Sequence, residues 1–304
     1  MLNLNVFDET SRLKVVVLGT AKENGPIPKP EDAYDPKSLE HILAGTYPKE
    51  EDMVKEMEAF AAVFEKYNVE VHRPEILPDC NQIFSRDIAF VIEDKLVKAN
   101  ILPDREEEFE AILHVLEYID PDKILYPPEE VHIEGGDVMP WKDYIFIGTY
   151  TGHDYPDYIT ARTNWEGVEY IRKMFPHKKV KSFELRKSIT HPRENALHLD
   201  CCFQPVGKDK AIIHKNGFLI EEEYQWLIDH FGRENVFEIS GDEMYHMFSN
   251  VFSISPEVVV SERNFTRLNN WLRSQGLTVE EIAYAEVSKQ GGLLRCSTMP
   301  LVRE

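Results

Sequence analysis

Residues 197–214 read LHLDCCFQPVGKDKAIIH and contain two strand-like runs, 197–206 and 209–214. The turn between them, 206–209 (Val-Gly-Lys-Asp), is too short to hold a helical crossover, so the two strands must pair as an antiparallel hairpin. A helical pattern over 221–231 comes next. Strand, strand and helix in this order predict a mixed α/β fold and exclude a doubly wound parallel sheet.

The same alternation continues through the chain. The run from Leu13 to Gly19 is dense in branched residues and predicts a strand, and the apolar spacing from Glu50 to Tyr67 predicts a helix. Further strands are predicted at 69–73, 87–93, 95–100, 144–148, 178–185, 251–255 and 257–261, and further helices at 105–118, 164–175 and 264–275. The helix over 105–118 is expected to bury Phe109, Ile112, Leu113 and Leu116 on one face. No low-complexity linker divides the sequence, so residues 1–304 are expected to form one domain.

The charge balance bounds the partners. The 304 residues carry 34 Lys and Arg against 54 Asp and Glu, a net charge of −20, which excludes nucleic acid as a partner because phosphates need the opposite sign. An acidic surface favours a cationic small molecule, although it also serves solubility. The four cysteines do not form a disulfide scaffold, and no apolar leader or membrane span is evident, so we expect a cytoplasmic enzyme with free thiols. The sequence does not determine the oligomeric state and leaves a homodimer open.

Two short motifs place acids and a histidine where chemistry needs them. In Glu134-Gly135-Gly136-Asp137 the glycines allow close backbone approach, so both carboxylates can point into one cavity and match a planar guanidinium. In His198-Leu199-Asp200 strand alternation would put both polar side chains on one face, with the carboxylate fixing the charge state of the histidine. The alternatives are a solvated polar turn for the first motif and a core histidine for the second.

Three further segments complete the set. Asp87, in Phe84-Ser85-Arg86-Asp87, is a second candidate guanidinium ligand, or else it pairs with Arg86 on the surface. Arg162 opens a helix and can hold a substrate carboxylate, or else it is an ordinary surface residue. Cys296 follows a glycine pair and Arg295, whose positive charge is expected to lower the thiol pKa and favour the reactive thiolate. No clustered metal-ligand spacing is present, so neither a metal nor a cofactor is predicted.

In their order, these segments resemble the guanidino-group-modifying superfamily of arginine deiminases, dimethylarginine dimethylaminohydrolases and amidinotransferases. Phe84–Asp87 looks like the deiminase Phe-Thr-Arg-Asp segment, and the motifs at 134–137, 162–164, 198–200, 262–266 and 291–301 follow in family order. The resemblance implies the pentein fold, five ββαβ units around a pseudo-fivefold axis. It also implies that Cys296 is the nucleophile, His198 the general acid and base, and Glu134 the catalytic carboxylate. Asp87, Asp137 and Asp200 would then grip the guanidinium, and Arg162 the substrate carboxylate.

The resemblance leaves two reactions open. Cysteine-dependent hydrolysis of arginine or an arginine derivative through a covalent amidino-thioether fits the ending Arg295–Leu301, which is like that of deiminases. Transfer of the amidino group to an amine such as glycine is the alternative, but amidinotransferases typically carry Phe-Asp-Ala-Asp where this chain has Glu134–Asp137. A non-catalytic binding protein on the same fold would lack the nucleophile. The connection before Arg162 is longer than is usual in the family, and the chain has no room for the extra helical domain of bacterial arginine deiminases.

Overall fold

The computed structural model describes residues 1–155 and 157–304 of the chain. Within them the strands are β1 Leu13–Leu18, β2 Glu70–His72, β3 Ala89–Ile92, β4 Lys95–Lys98, β5 Ile124–Leu125, β6 Val138–Trp141, β7 Tyr144–Thr149, β8 Lys179–Glu184, β9 Phe203–Val206, β10 Lys210–Ile213, β11 Val236–Glu238, β12 Phe252–Ser255, β13 Val258–Glu262, β14 Thr278–Ile282 and β15 Thr298–Arg303. The helices are α1 Pro36–Leu43, α2 Glu50–Lys66, α3 Ser85–Ile88, α4 Glu107–Glu110, α5 Leu113–Leu116, α6 Trp165–Met174, α7 Glu221–Phe231, α8 Gly241–Tyr245, α9 Thr266–Ser274 and α10 Ala285–Ser288.

The strands of the described residues form five three-stranded sheets with one shared pattern. Their orders are β15-β1-β2, β3-β4-β5, β6-β7-β8, β9-β10-β11 and β12-β13-β14. In each sheet the first two strands are antiparallel, and the third lies parallel to the second after a helical crossover. The hairpin predicted from the turn at 206–209 is confirmed as the pair β9–β10. The expected five repeated units are therefore present.

The unit with strand order β15-β1-β2 joins the two ends of the described chain in one sheet and so closes the ring of five units. Strand β15 pairs antiparallel with β1, with Leu18 opposite Thr298 and Val16 opposite Pro300. Strand β2 then adds to β1 in parallel. Since β15 begins two residues after Cys296, this closure fixes the position of the candidate nucleophile.

The core lies between the sheets and the helices that cover them. On α2, Met53, Met57, Phe60 and Phe64 are buried, while Ala61 is half-buried. Phe60 and Phe64 pack against Phe252 of β12, with ring centroids 5.9 and 5.8 Å apart. In the described residues, each helix is too short or too polar to cross a membrane.

Three predicted elements are wrong in ways that matter for function. The predicted helix 105–118 is two short turns, α4 and α5, with Leu113 exposed, because the chain leaves helical geometry at Ile112 (φ −109°, ψ 5°). The predicted strand 87–93 begins only at Ala89, after the turn α3. The predicted strand 197–206 begins only at Phe203, since Leu199–Cys201 form a 3-10 turn.

Candidate active site

Five short segments, each leading into the first strand of a unit, meet at one centre. They are 84–88, 134–137, 198–202, 249–251 and 295–297. Their hydrogen bonds link neighbouring segments: Arg86 N donates to Cys296 O (3.0 Å), Leu199 N to Asp137 Oδ1 (2.8 Å), Ser249 Oγ to Asp200 O (2.8 Å) and Arg295 N to Asn250 O (3.3 Å). The backbones of Gly135 and Arg86 complete the circle by close approach, since a Cβ at 135 would lie 2.1 Å from Arg86 O. The predicted site residues, Arg162 aside, belong to this ring.

Cys296 lies at the inner end of a cavity of about 300 Å³. Its side chain is buried, and Asn250 forms hydrogen bonds with both the sulfur and the backbone N–H of Cys296. Asn250 Nδ2 donates to Cys296 Sγ at 3.1 Å, and Cys296 N donates to Asn250 Oδ1 at 3.1 Å. These two bonds fix where the sulfur points, so Asn250 is a positioning residue that the sequence analysis missed.

Arg295 does not act on the thiol as predicted. Its guanidinium is fully buried and donates to Glu9 through Nε and Nη2 at 3.0 and 3.1 Å, and to Asp200 Oδ2 through Nη1 at 2.9 Å. Burial raises the pKa of Cys296 well above its ordinary value, and the negative charges of Asp200 and Asp87 raise it further. The expectation of a lowered thiol pKa is therefore wrong, because the charge of Arg295 is balanced by Glu9 and Asp200.

His198 and Glu134 form a buried ion pair beside the cavity. His198 Nε2 lies 2.7 Å from Glu134 Oε2. Burial disfavours the charged imidazole, yet Asp87 and the hydrogen bond to Glu134 raise the pKa of His198 to about 9. Burial likewise opposes the Glu134 carboxylate, but Arg162 and His198 lower its pKa to about 2. The imidazolium and the carboxylate are thus both charged at neutral pH.

Asp87 is the predicted guanidinium ligand that faces the cavity. It pairs with Arg105 rather than with Arg86 on the surface, since Arg105 Nη1 donates to Asp87 Oδ2 at 3.1 Å. Its second oxygen, Oδ1, is buried without a hydrogen-bond partner in the described residues and lies 3.8 Å from His198 Nδ1. Burial, the largest influence, raises the pKa of Asp87 even though His198 and Arg105 oppose it. A cationic ligand would supply the missing partner.

Asp137 and Asp200 lie behind the site instead of lining the cavity. Asp137 accepts from Thr163 Oγ1 at 2.7 Å and from Leu199 N at 2.8 Å, so both of its oxygens are occupied. Asp200 accepts from Arg295 and lies 3.5 Å from Cys296 Sγ. The expected grip of these two residues on a guanidinium does not fit this placement, because Asp200 already holds a guanidinium of the protein itself.

Arg162 is buried beside the site and is not an ordinary surface residue. Its Nη1 lies 3.4 and 3.3 Å from the two oxygens of Glu134, its Nη2 donates to Tyr34 O at 2.8 Å, and its Nε donates to Ile159 O at 2.7 Å. Each nitrogen of the guanidinium therefore has a protein acceptor. The predicted role in holding a substrate carboxylate would require at least one of these contacts to break.

The same cluster offers a geometry that a metal ion could use. Asp87, Glu134 and His198 place ligand atoms within 4.8 Å of one another. However, Arg105 donates to Asp87 and lies 4.0 Å from Glu134, and Arg162 donates to Glu134. These arginines balance the carboxylates with fixed positive charge, which repels a divalent cation. His132, by contrast, lies apart from the cluster and bonds Asp154 at 2.6 Å.

Two glycines are required by the packing of the site. A Cβ at Gly136 would lie 2.5 Å from His198 Nδ1, so the backbone must be bare where the imidazole crosses it. Gly291, at the cavity wall, has φ +83° and would place a Cβ 2.9 Å from the Asp35 carboxylate. The glycine-rich motifs of the sequence therefore serve close approach, as proposed for Glu134–Asp137.

Comparison with known proteins places the chain. Residues 46–303 match the family model described as N,N dimethylarginine dimethylhydrolase, eukaryotic. An uncharacterized protein of Bacillus subtilis, YkgA, is 28% identical over 223 residues, which cover 73% of this chain and 70% of YkgA. An arginine deiminase of Mycoplasma capricolum is 28% identical over 205 residues, 58% of this chain. The match spans about half of the deiminase, 48% of its length.

Solved structures share the fold. SxtG, an amidinotransferase from Microseira wollei in the saxitoxin biosynthetic pathway, superposes with a TM-score of 0.76 at 15% sequence identity. The superposition covers 99% of this chain and 98% of SxtG. At this identity the likeness establishes the five-unit architecture and leaves the reaction to be argued from the site.

Proposed function

Because this chain belongs to the family described as N,N dimethylarginine dimethylhydrolase, eukaryotic, within the guanidino-group-modifying superfamily, we propose that it hydrolyses the guanidino group of arginine or an arginine derivative through Cys296. The observation that carries the proposal is one cavity faced by three groups. They are the Cys296 thiol, the His198 imidazole and the unpartnered Oδ1 of Asp87. A nucleophile, a proton donor and an anchor for a cation are the parts this reaction needs.

Binding of the substrate activates the nucleophile. The thiol pKa is raised by burial and by the negative charges of Asp200 and Asp87, so the thiol is protonated at neutral pH before a substrate binds. A guanidinium bonded to Asp87 Oδ1 adds positive charge beside the sulfur, and the thiol then loses its proton to solvent. The reactive thiolate forms only where there is a substrate to attack.

The chemistry then proceeds in two halves. The thiolate of Cys296 attacks the guanidinium carbon and forms a carbon–sulfur bond, while the His198 imidazolium gives its proton to the departing nitrogen as the carbon–nitrogen bond breaks. An amidino-thioether remains. Water adds to the amidino carbon and gives one proton to His198. The carbon–sulfur bond then breaks as the second proton of the water passes to solvent, which releases the thiolate and a ureido product. Glu134 stabilises the imidazolium at the start and at the end of the cycle.

Hydrolysis is favoured over amidino transfer by the family that matches. The matched model and the deiminase relative are both named for hydrolytic reactions, and water needs no acceptor site. Product analysis with and without an amine such as glycine separates the two reactions. An absolute requirement for the amine would assign the transferase.

The test of the proposal is Cys296→Ser. We expect release of ammonia or amine from a guanidino substrate to fall by at least about a thousandfold, as for loss of other covalent nucleophiles, with the unfolding transition retained. Cys80→Ser, a change of the half-buried thiol at the outer part of the cavity, should keep most of the rate. Undiminished turnover by the folded Cys296→Ser protein would refute the proposal.

A further inference from the structure

The positive charges that line the cavity leading to Cys296 are paired within the protein, and the His198 imidazolium is paired with Glu134. Among the described residues, Arg105 and Arg162 are the Lys and Arg side chains that line the cavity. Both are already bound by the protein. Arg162 donates to Glu134, Tyr34 O and Ile159 O, as set out above.

Arg105 is engaged in the same way. Its Nε and Nη2 donate to the two oxygens of Glu108 at 2.7 and 2.9 Å, and its Nη1 donates to Asp87. This two-pronged fork is the geometry in which a guanidinium binds a carboxylate most firmly. A substrate carboxylate would therefore have to compete with Glu108 and Asp87 for Arg105, and with Glu134 for Arg162.

The outer part of the cavity is acidic instead. Asp32, Asp79, Asp104 and Glu107 line it with exposed side chains. Deeper in, the buried Asp87 keeps Oδ1 without a partner beside Cys296. The cavity thus offers negative charge at two depths, and its arginine charges are balanced by the protein.

We propose that the substrate is an alkylguanidine whose far end is an ammonium or a neutral group and not a free carboxylate. This proposal rests on the guanidino chemistry proposed above. Asp87 Oδ1 binds the guanidinium, and the acids at the mouth favour a second positive charge. Arg162 is a positioning residue that holds Glu134 against His198, and it does not anchor the substrate.

Four guanidines test which charged group the site accepts at the end of the substrate opposite the guanidinium. Agmatine has an amine and no carboxylate, argininamide has an amine and a neutral amide, arginine has both charges, and 4-guanidinobutyrate has a carboxylate alone. We expect kcat/KM for agmatine or argininamide to exceed that for arginine by about tenfold or more, and 4-guanidinobutyrate to be the poorest. Arginine as the best of the four would overturn this proposal and leave the guanidine hydrolysis intact. No turnover of any of them would overturn both.

Arg162→Lys separates positioning from anchoring within one protein. If Arg162 positions Glu134, kcat falls by a similar factor for arginine and for agmatine, and the ratio of their KM values is unchanged. If it anchors a carboxylate, KM rises for arginine and not for agmatine, which would overturn the proposal. Because both substrates are measured on the same variant, a general loss of folded protein does not affect the comparison.

Variants at the mouth test the acids. Asp104→Asn combined with Glu107→Gln should reduce the preference for agmatine over arginine several-fold. Glu106→Gln, an exposed acid between them that does not line the cavity, is the matched control and should leave the preference unchanged. An equal preference in the double variant and the wild type would contradict the role of the mouth.

Discussion

His198 and Glu134 carry opposite charges, and His198 Nε2 lies 2.7 Å from Glu134 Oε2. Both side chains are buried. Burial opposes both charges. Asp87 and Glu134 together raise the pKa of His198, and Arg162 and His198 together lower the pKa of Glu134. A protonated histidine is what the first half of the proposed reaction consumes, and the raised pKa keeps His198 protonated at neutral pH.

This pair predicts how stability depends on pH. The pKa of His198 is about 9 in the folded protein and near 6.5 in an unfolded chain, so its contribution is full below pH 6.5 and is lost as pH rises through 9. Urea unfolding at pH values from 6 to 9 should show the free energy of unfolding falling over this window. In Glu134→Gln the fall should be clearly smaller, because the imidazole loses its partner.

The control for this measurement is His177→Gln. His177 is an exposed histidine that pairs with Glu93, away from the site. It should keep the wild-type dependence on pH. An unchanged dependence in Glu134→Gln would show that the buried pair does not set it.

Residue types that carry chemistry could be predicted from the sequence, and their partners could not. The structure brings Cys296 and His198 to one cavity and pairs His198 with Glu134, and their proposed roles stay predictions. The sequence did not show that Arg295 and Asp200 pair with each other, because the two residues are ninety-five positions apart. Asn250 was missed because an asparagine in Ser249-Asn250-Val251 carries no local signal.

At the scale of elements, each unit repeats one construction around the site. The first strand of every unit is an edge strand of its three-stranded sheet, so one of its residues can lack the backbone N–H that pairs with a neighbouring strand. Three of these strands accordingly carry proline at their third position, namely Pro140, Pro205 and Pro300. Two residues before each first strand stand Asp87, Gly136, Cys201, Asn250 and Cys296. Had this repeat been recognised in the sequence, Asn250 would have emerged as the equivalent of Cys296.

The first two strands of most units were predicted, with β6 and β15 missed, and three of the five third strands, β5, β11 and β14, were not predicted. The turn at 206–209 is a local signal that fixes β9 and β10. Strands β11 and β14 pair in parallel with β10 and β13 across helical crossovers. No turn motif next to β11 or β14 therefore indicates which strand is the partner. Strand β15 was missed for the same reason, since its partner β1 is at the other end of the chain.

The turn at Gly136 predicts a loss of activity without a loss of fold. In Gly136→Ala the new Cβ would meet His198 Nδ1 at 2.5 Å, and the imidazole must move. A displacement of about 1 Å in a catalytic group costs on the order of 100-fold in rate, so kcat should fall by about that factor. Gly241→Ala is the matched control, because the nearest heavy atom to its added Cβ is 4.0 Å away. Equal rates in the two variants would contradict the crowding argument.

At the scale of the whole molecule, the ring at the centre draws one segment from each of the five units. Arg295 alone bonds Glu9, Asp200 and the carbonyl of Val138, which precede or begin three different sheets. No unit holds the proposed machinery by itself. We therefore infer that residues 1–304 act as one catalytic domain.

From the pairing of β15 with β1 we expect stability and activity to be lost together. Leu301 is fully buried in β15, and Leu301→Ala should lower the free energy of unfolding by about 2–5 kcal/mol, in a single transition. Leu219→Ala, an exposed leucine, should change it by less than about 0.5 kcal/mol. Denaturant unfolding followed by fluorescence and by activity checks both. Activity that persists beyond the fluorescence transition would show that the site survives without the β15–β1 pairing.

The pairing of β1 with β15 also has a consequence for synthesis on the ribosome. Chains emerge from their amino end, so β1 leaves the exit tunnel long before the strand that covers it. Throughout that interval its hydrogen-bonding edge is open to neighbouring nascent chains, a hazard for association between polysome-mates. Cys296, two residues before β15, is made after the strands of the other four sheets and is buried in the folded protein. A chain whose synthesis has not reached Cys296 can thus associate with others, but it cannot carry out the proposed reaction.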